Sequence, residues 1–209
     1  ALAYDYENKV PVWAAYSITA NSVHGVNVKR KNNFKIDRSI PAMDRSKAKD
    51  YKRSGFDRGH IAPSASIDYS RSANDETFFY SNMAPQLAGF NRDMFQHKGA
   101  WGRLEHKIRK WVSKRKSLNV ISGTYFGDDV IYIGNRVGVP TAFYKIIIDI
   151  EKNEAIAFWL PHEINKADEL PNYQVSIDDI ELRTGVNFLP ILSEAQEDLL
   201  SNSLTYYTF

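Results

Sequence analysis

Cysteine is absent from the 209 residues. That excludes disulfides, thiolate nucleophiles and cysteine-ligated zinc together. Long apolar runs are missing too: nothing approaches the roughly eighteen consecutive apolar residues that a bilayer-crossing helix needs, so attachment to a membrane by the chain itself is not expected. No internal repeat, low-complexity tract or Gly/Ser-rich linker interrupts the sequence, and its length suits a single domain over residues 1–209 with one sizeable core. An initiator methionine is lacking at Ala1. With a cysteine-free composition rich in Asn, Ser and Tyr, this leads to the expectation of a trimmed, exported protein, secreted or periplasmic.

What is present is an uneven distribution of charge. The net charge is only +2, but residues 1–150 carry 24 basic and 14 acidic side chains, a balance of +10, whereas residues 151–209 carry 3 and 11, a balance of −8. A basic region of this kind attracts polyanions through its local field. The plain alternative is two halves that neutralise one another across a solvated surface.

The pattern of apolar residues implies an α+β domain. Val10–Ile18, residues 118–123, 130–133, 142–149 and 155–160 are rich in β-branched and aromatic residues and read as strands, with a hairpin turn at 151–154. Thr77–Ser81 reads as a further strand ending at Asn82. From about Gln96 to Lys116, the three-and-four spacing of Trp101, Leu104, Ile108, Trp111 and Val112 predicts a long helix whose other face is basic. Residues 28–53 hold ten basic side chains without apolar periodicity and read as a surface excursion. In it Lys29, Arg30, Lys31, Lys35 and Lys52 are candidates for phosphate contacts. Ser176 and Ser193 each precede a capping partner by three residues, so short helices are expected to start there.

The chemistry concentrates in Ser54–Tyr69. Asp57-Arg58-Gly59-His60 puts a carboxylate, a guanidinium and an imidazole beside a glycine expected to free the backbone for a turn. Taken alone, this string reads equally well as a surface Asp57–Arg58 pair with a structural histidine. Three further strings follow in order: Tyr80-Ser-Asn-Met-Ala-Pro-Gln86, then Phe90-Asn91, then Trp101-Gly-Arg-Leu-Glu105.

This ordered set resembles the DNA/RNA non-specific endonucleases, the ββα-metal nuclease family, over most of residues 10–192. The resemblance implies a central, mainly antiparallel sheet flanked by helices, with a ββα-metal finger as the active site. It also implies a Mg²⁺-dependent endonuclease, Mn²⁺ being a substitute, that cuts DNA and RNA with little sequence preference and leaves 5′-phosphates. By the same resemblance His60 is the general base that takes a proton from water, with Asp57 or a backbone carbonyl left as the group orienting its ring. Asn91 is the metal ligand, Glu105 holds the ion's waters, Asn82 helps orient the site, Arg58 binds the scissile phosphate, and Arg109 shares the helical face of Glu105. A homodimer and an inhibitor protein stay open as partners.

One departure bears on these assignments. Residues 92–98 separate Asn91 from Gly99-Ala-Trp101, where compact members have almost nothing. In one unbroken helix Asn91 and Glu105 would lie about 20 Å apart, so the chain is expected to bend near Gly99, or else Glu76, Asp93 or His97 takes part instead. Two other readings compete with the nuclease: a nucleic-acid-binding module without turnover, and a phosphodiesterase for a small or lipid substrate, which would need an apolar groove.

Overall fold

Four of the five β-rich runs join Leu2–Asp5 and Gln174–Val175 in a six-stranded antiparallel sheet, in the spatial order Leu2–Asp5, Val10–Thr19, Ser117–Tyr125, Ala142–Asp149, Glu154–Pro161 and Gln174–Val175. The fifth, expected at 130–133, pairs as Ile131–Ile133 with Val137–Val139 outside that sheet. The structure is a computed structural model that describes residues 1–25, 27–94, 97–164, 167–188 and 209. Ala142–Asp149 is buried along its whole length, and its period of two divides the core. Phe143 and Ile147 face one cluster that contains Trp101, Leu104, Ile108 and Val112. Tyr144, Ile146 and Ile148 face a second that contains Ile177 and Ile180. Helices thus cover both faces of a mainly antiparallel sheet, as expected of an α+β domain.

The long helix runs over Ala100–Arg115, four residues later than its apolar spacing allows for. Its start is displaced because His97–Lys98 pairs with Asp93–Met94 as a short antiparallel ladder. Its inner stripe, Trp101, Leu104, Ile108 and Val112, is buried to 1% exposure or less, and each such side chain contributes about 1.5–3 kcal/mol of burial. Ser176 caps the helix Ile177–Thr184 through a reciprocal pair with Asp179, as its spacing predicts. The helix expected from Ser193 lies outside the described residues.

Two expectations are corrected. Thr77–Ser81 is not a strand: Thr77 closes the helix Arg71–Glu76, and Tyr80–Asn82 forms a 3₁₀ turn. Phe78 and Tyr80 are drawn inward against Phe34, and the strand begins only at Met83, running to Gln86. Nor is 28–53 purely a surface excursion, since Ile40, Ser46, Asp50 and Tyr51 are buried. Asp50 accepts from the backbone N–H of Lys47 at 2.9 Å and of Asn135 at 3.1 Å, tying the segment to the far loop.

Met83–Gln86 pairs antiparallel with Asp57–His60, Gly59 facing Ala84 and His60 facing Met83. The turn of helix Ala88–Asn91 and then the long helix follow. This gives two strands and a helix packed beside the main sheet. Gly59 has no left-handed backbone angle, so turning is not its purpose. A Cβ there would meet Gln86 Oε1 at 2.0 Å. The bare glycine lets the fully buried Gln86 side chain cross the neighbouring strand.

Gly59→Ala should therefore destabilise the fold by about 1–3 kcal/mol through overpacking. Adding Gln86→Ala should recover part of that loss, and urea denaturation of the two single variants and the double reads both effects.

Candidate active site

His60 ends its strand with its main-chain oxygen accepting from the Trp101 indole N–H at 3.3 Å, so the long helix is pinned to the strand that carries the imidazole. The ring is held by packing, edge-on to Phe78 at 5.0 Å and tilted on Phe34 at 5.8 Å. Its Nε2 is buried and makes no hydrogen bond among the described residues. Burial, reinforced by the charges of Arg30 and Arg58, pushes its pKa down to about 3. The imidazole is therefore neutral at physiological pH, the form whose free ring nitrogen can act as an acceptor.

Asp57 orients a different group. Its carboxylate accepts from Asn91 Nδ2 at 3.0 Å and from Arg92 Nε at 2.7 Å, with a second bond from the same guanidinium. Because the amide nitrogen of Asn91 is committed to a carboxylate, its oxygen is left to face other partners. The Arg58 guanidinium lies 3.9 Å from the centre of the Phe34 ring. The helical turn bearing Asn91 is fixed from the sheet side by His162. There Nε2 accepts the Leu87 N–H at 2.9 Å and the Nδ1–H donates to the Pro140 carbonyl at 2.8 Å. Those two bonds define a neutral tautomer, and burial keeps its pKa below the ordinary value.

The break between Asn91 and Glu105 falls where it was expected. Gly99 N–H donates to Arg92 O at 2.8 Å, so the intervening residues leave and return at one point. A Cβ on Gly99 would meet Phe90 O at 2.2 Å, a contact that only glycine permits. Asn91 and Glu105 consequently open onto one cavity of about 960 Å³, together with His60, Arg30, Arg58 and Arg109. Burial raises the pKa of Glu105, while Lys145, Arg109 and Arg30 pull it back. Among the described residues one Nη of Arg109 is buried without a hydrogen-bond partner.

Asn82 is placed differently. It is buried, its Oδ1 accepts from Ala62 N–H, and its Nδ2 donates to the carbonyls of Ala62 and Thr77, all at 2.9 Å. It does not line the cavity; it holds the chain just beyond His60. Glu76 is also absent from the cavity lining, whereas the side chains of Asp93 and His97 lie outside the described residues. Of the five basic candidates in 28–53, Arg30 and Lys52 reach the cavity wall. Lys35 instead lies over the Phe79 ring.

Sequence reasoning did not single out His162 or Lys145. Both are distant from the motif, and only the strand pairing brings them beneath it. Lys145 follows Phe143 at the period of two on a buried strand, and a charge at such a position is a signal that could have been read.

The model of the DNA/RNA non-specific endonuclease family matches residues 1–195. The mitochondrial nuclease of Saccharomyces cerevisiae is 37% identical over 210 residues, which cover 89% of this chain and 62% of that protein. Human mitochondrial endonuclease G is 31% identical, covering 93% of this chain and 69% of its own length. Among solved structures, EndoG in its complex with EndoGI, described as showing the mechanism of EndoG inhibition, superimposes with a TM-score of 0.83. That match has 34% identity and covers 93% of this chain and 84% of that one. The mitochondrial relatives overturn the expectation of a secreted or periplasmic location. The absence of cysteine is as compatible with a reducing compartment as with an oxidising one, and composition carries no address. The ordered motif, the strand pair with its helix and these matches together make the chain a member of the DNA/RNA non-specific endonuclease family.

Proposed function

We propose that this chain is a metal-dependent endonuclease that hydrolyses phosphodiester bonds in DNA and RNA with little sequence preference, leaving 5′-phosphate and 3′-hydroxyl ends. One observation carries the reading. A neutral imidazole, an oriented amide oxygen, a partly buried carboxylate and four guanidinium groups, one of them paired with Asp57, line a single cavity. In this reading His60 accepts the proton of the attacking water. Arg30, Arg58 and Arg109 receive the phosphate and balance the charge that grows on it. Contacts of this type position a nucleic acid without reading its bases, which accounts for tolerance of sequence.

The donor set fits a hard, hydrated divalent ion. Among the described residues no three His, Asp or Glu side chains converge, so a dense cage is not what these residues build. The Asn91 oxygen would hold the ion, with Glu105 reaching it through water. Mg²⁺ suits such a sparse site because it keeps most of its waters, and Mn²⁺ can replace it. When bound, the ion would supply Lewis-acid neutralisation of the phosphoryl oxygens.

A lipid phosphodiesterase would need an apolar groove. These walls instead carry Arg30, Lys52, Arg58, Arg92 and Arg109. A mitochondrial setting is supported by the yeast and human relatives. An inhibitor protein is supported as a partner by the EndoG complex.

Three outcomes test this reading. His60→Ala should lower kcat on supercoiled plasmid and on RNA by about 10²–10⁴-fold while nucleic-acid binding persists. Full cleavage by that variant would remove the mechanism. Asn91→Ala should weaken Mg²⁺ binding, measured by calorimetry, and EDTA should stop cleavage by the intact protein. Binding without any cleavage at saturating Mg²⁺ would instead favour a module without turnover.

The third outcome concerns pH. His60 has a folded pKa of about 3, below its ordinary unfolded value of about 6.5, so the unfolded chain binds the extra proton. Stability contributed through His60 is therefore complete above pH ~6.5 and is lost as pH falls toward 3, by at most roughly 5 kcal/mol. His60→Gln should flatten the dependence of folding stability on pH across that window, as read by chemical denaturation.

A further inference from the structure

We propose that Lys145 is a positioning residue for Glu105: a cation fixed beneath the cavity floor that sets the carboxylate in place and keeps it ionised without occupying its lone pairs. The inference rests on the endonuclease reading and deepens it.

Lys145 is completely buried, between Phe143 and Ile147 on a face where alternation calls for an apolar side chain. Desolvating an ammonium group is costly unless it is compensated, yet among the described residues it makes a single hydrogen bond, to Ser122 Oγ at 2.9 Å. Its other neighbours are the Trp101 ring, 3.6 Å from Nζ to the centroid, and Glu105 Oε1 at 3.9 Å. The ring face stabilises the cation. The distance to Glu105 is too long for a hydrogen bond and short enough for strong attraction in a buried setting. Serine and indole thus hold the charge at a fixed remove, and Lys145 itself occupies no lone pair of the carboxylate.

The arrangement around Glu105 shows why this cation differs from the rest. Arg109 faces Glu105 from its own helix, Arg30 from the loop, Lys145 from the sheet, and the partly buried Tyr16 lies nearby as a neutral group. Arg30 and Arg109 line the cavity, where an incoming phosphate draws on their charge. Lys145 is not among the lining residues. Among the described residues it is the counter-charge that stays with Glu105 when the cavity is full. Burial also brings the Lys145 pKa down to about 8 while Glu105 raises it, so the ammonium form persists at neutral pH.

Lys145→Met keeps the stem and removes the charge. In metal-free protein, the Glu105 carboxyl ¹³C signal should titrate at least one pH unit higher in this variant than in the wild type. At pH 7, kcat should fall by about 100-fold, with KM for plasmid within about threefold, and should recover as pH is raised toward 9. In a Glu105→Gln background, Lys145→Met should cost no more than about twofold further in kcat, because a residue that acts through another loses its effect when that other is gone. A carboxyl titration unchanged by Lys145→Met, or losses that multiply in the double variant, would overturn the proposal. Should Lys145→Met fail to fold, Ser122→Ala decides the matter: an upward shift of the Glu105 midpoint supports the proposal and an unmoved midpoint sinks it. Failure of the wild type to cut nucleic acid would instead remove the endonuclease reading, while the metal-free titration would still judge Lys145.

Discussion

The site depends on the carboxylate of Asp57. It joins the first strand of the finger to the helical turn that follows the second, through Asn91 and Arg92. Without that link the Asn91 amide would be free to rotate, and its nitrogen and oxygen would compete for whatever faced them. With it, the amide has one orientation. A partly buried carboxylate that holds both an amide and a guanidinium is a strong local constraint, because charge-assisted hydrogen bonds exceed neutral ones in strength. His162 and Trp101 add two more pins from the sheet and the long helix, one to the Leu87 nitrogen at the start of the turn that carries Asn91 and one to the carbonyl of His60. Side chains distant in sequence are thereby set around one opening by single hydrogen bonds.

Electrostatics and packing work against each other here. Aromatic rings exclude water from His60 and so keep it neutral, while Arg30 and Arg58 add charge that discourages its protonation. The free protein thus carries a surplus of positive charge at the mouth of the cavity with a base already stripped of its proton. Phosphate relieves the first condition and uses the second. Lys145 stands apart from this exchange because Trp101 and the sheet seal it from the opening.

Much of this was legible in the sequence. Four strands of the main sheet, the buried stripe of the long helix and the Ser176 cap follow from periodicity and local capping chemistry, which need only nearby residues. The residue types at the site were also legible, since His60, Asn91, Glu105, Arg58 and Arg109 do open onto one cavity. What was not legible is orientation. The sequence could not say that Asp57 turns toward Asn91, that Asn82 spends its amide on backbone groups, or that Gly59 is small for the sake of Gln86. Those outcomes are fixed by contacts between segments that lie from 20 to 34 residues apart. The strand expected at Thr77–Ser81 misled for a related reason: aromatic residues suited to a sheet were claimed by the core beside Phe34. The compartment left no trace in composition.

The ladder of Asp93–Met94 with His97–Lys98 has a broader meaning. Its two ends meet where Gly99 bonds to Arg92, so the ladder is an appendix to the active site rather than a spacer within it. Neither its length nor its composition needs to be commensurate with a helical repeat for Asn91 and Glu105 to keep company. Spacing along a chain measures distance only when the chain is straight. Where it doubles back on itself, a family can graft new rim material beside its reaction centre and leave the geometry of that centre untouched.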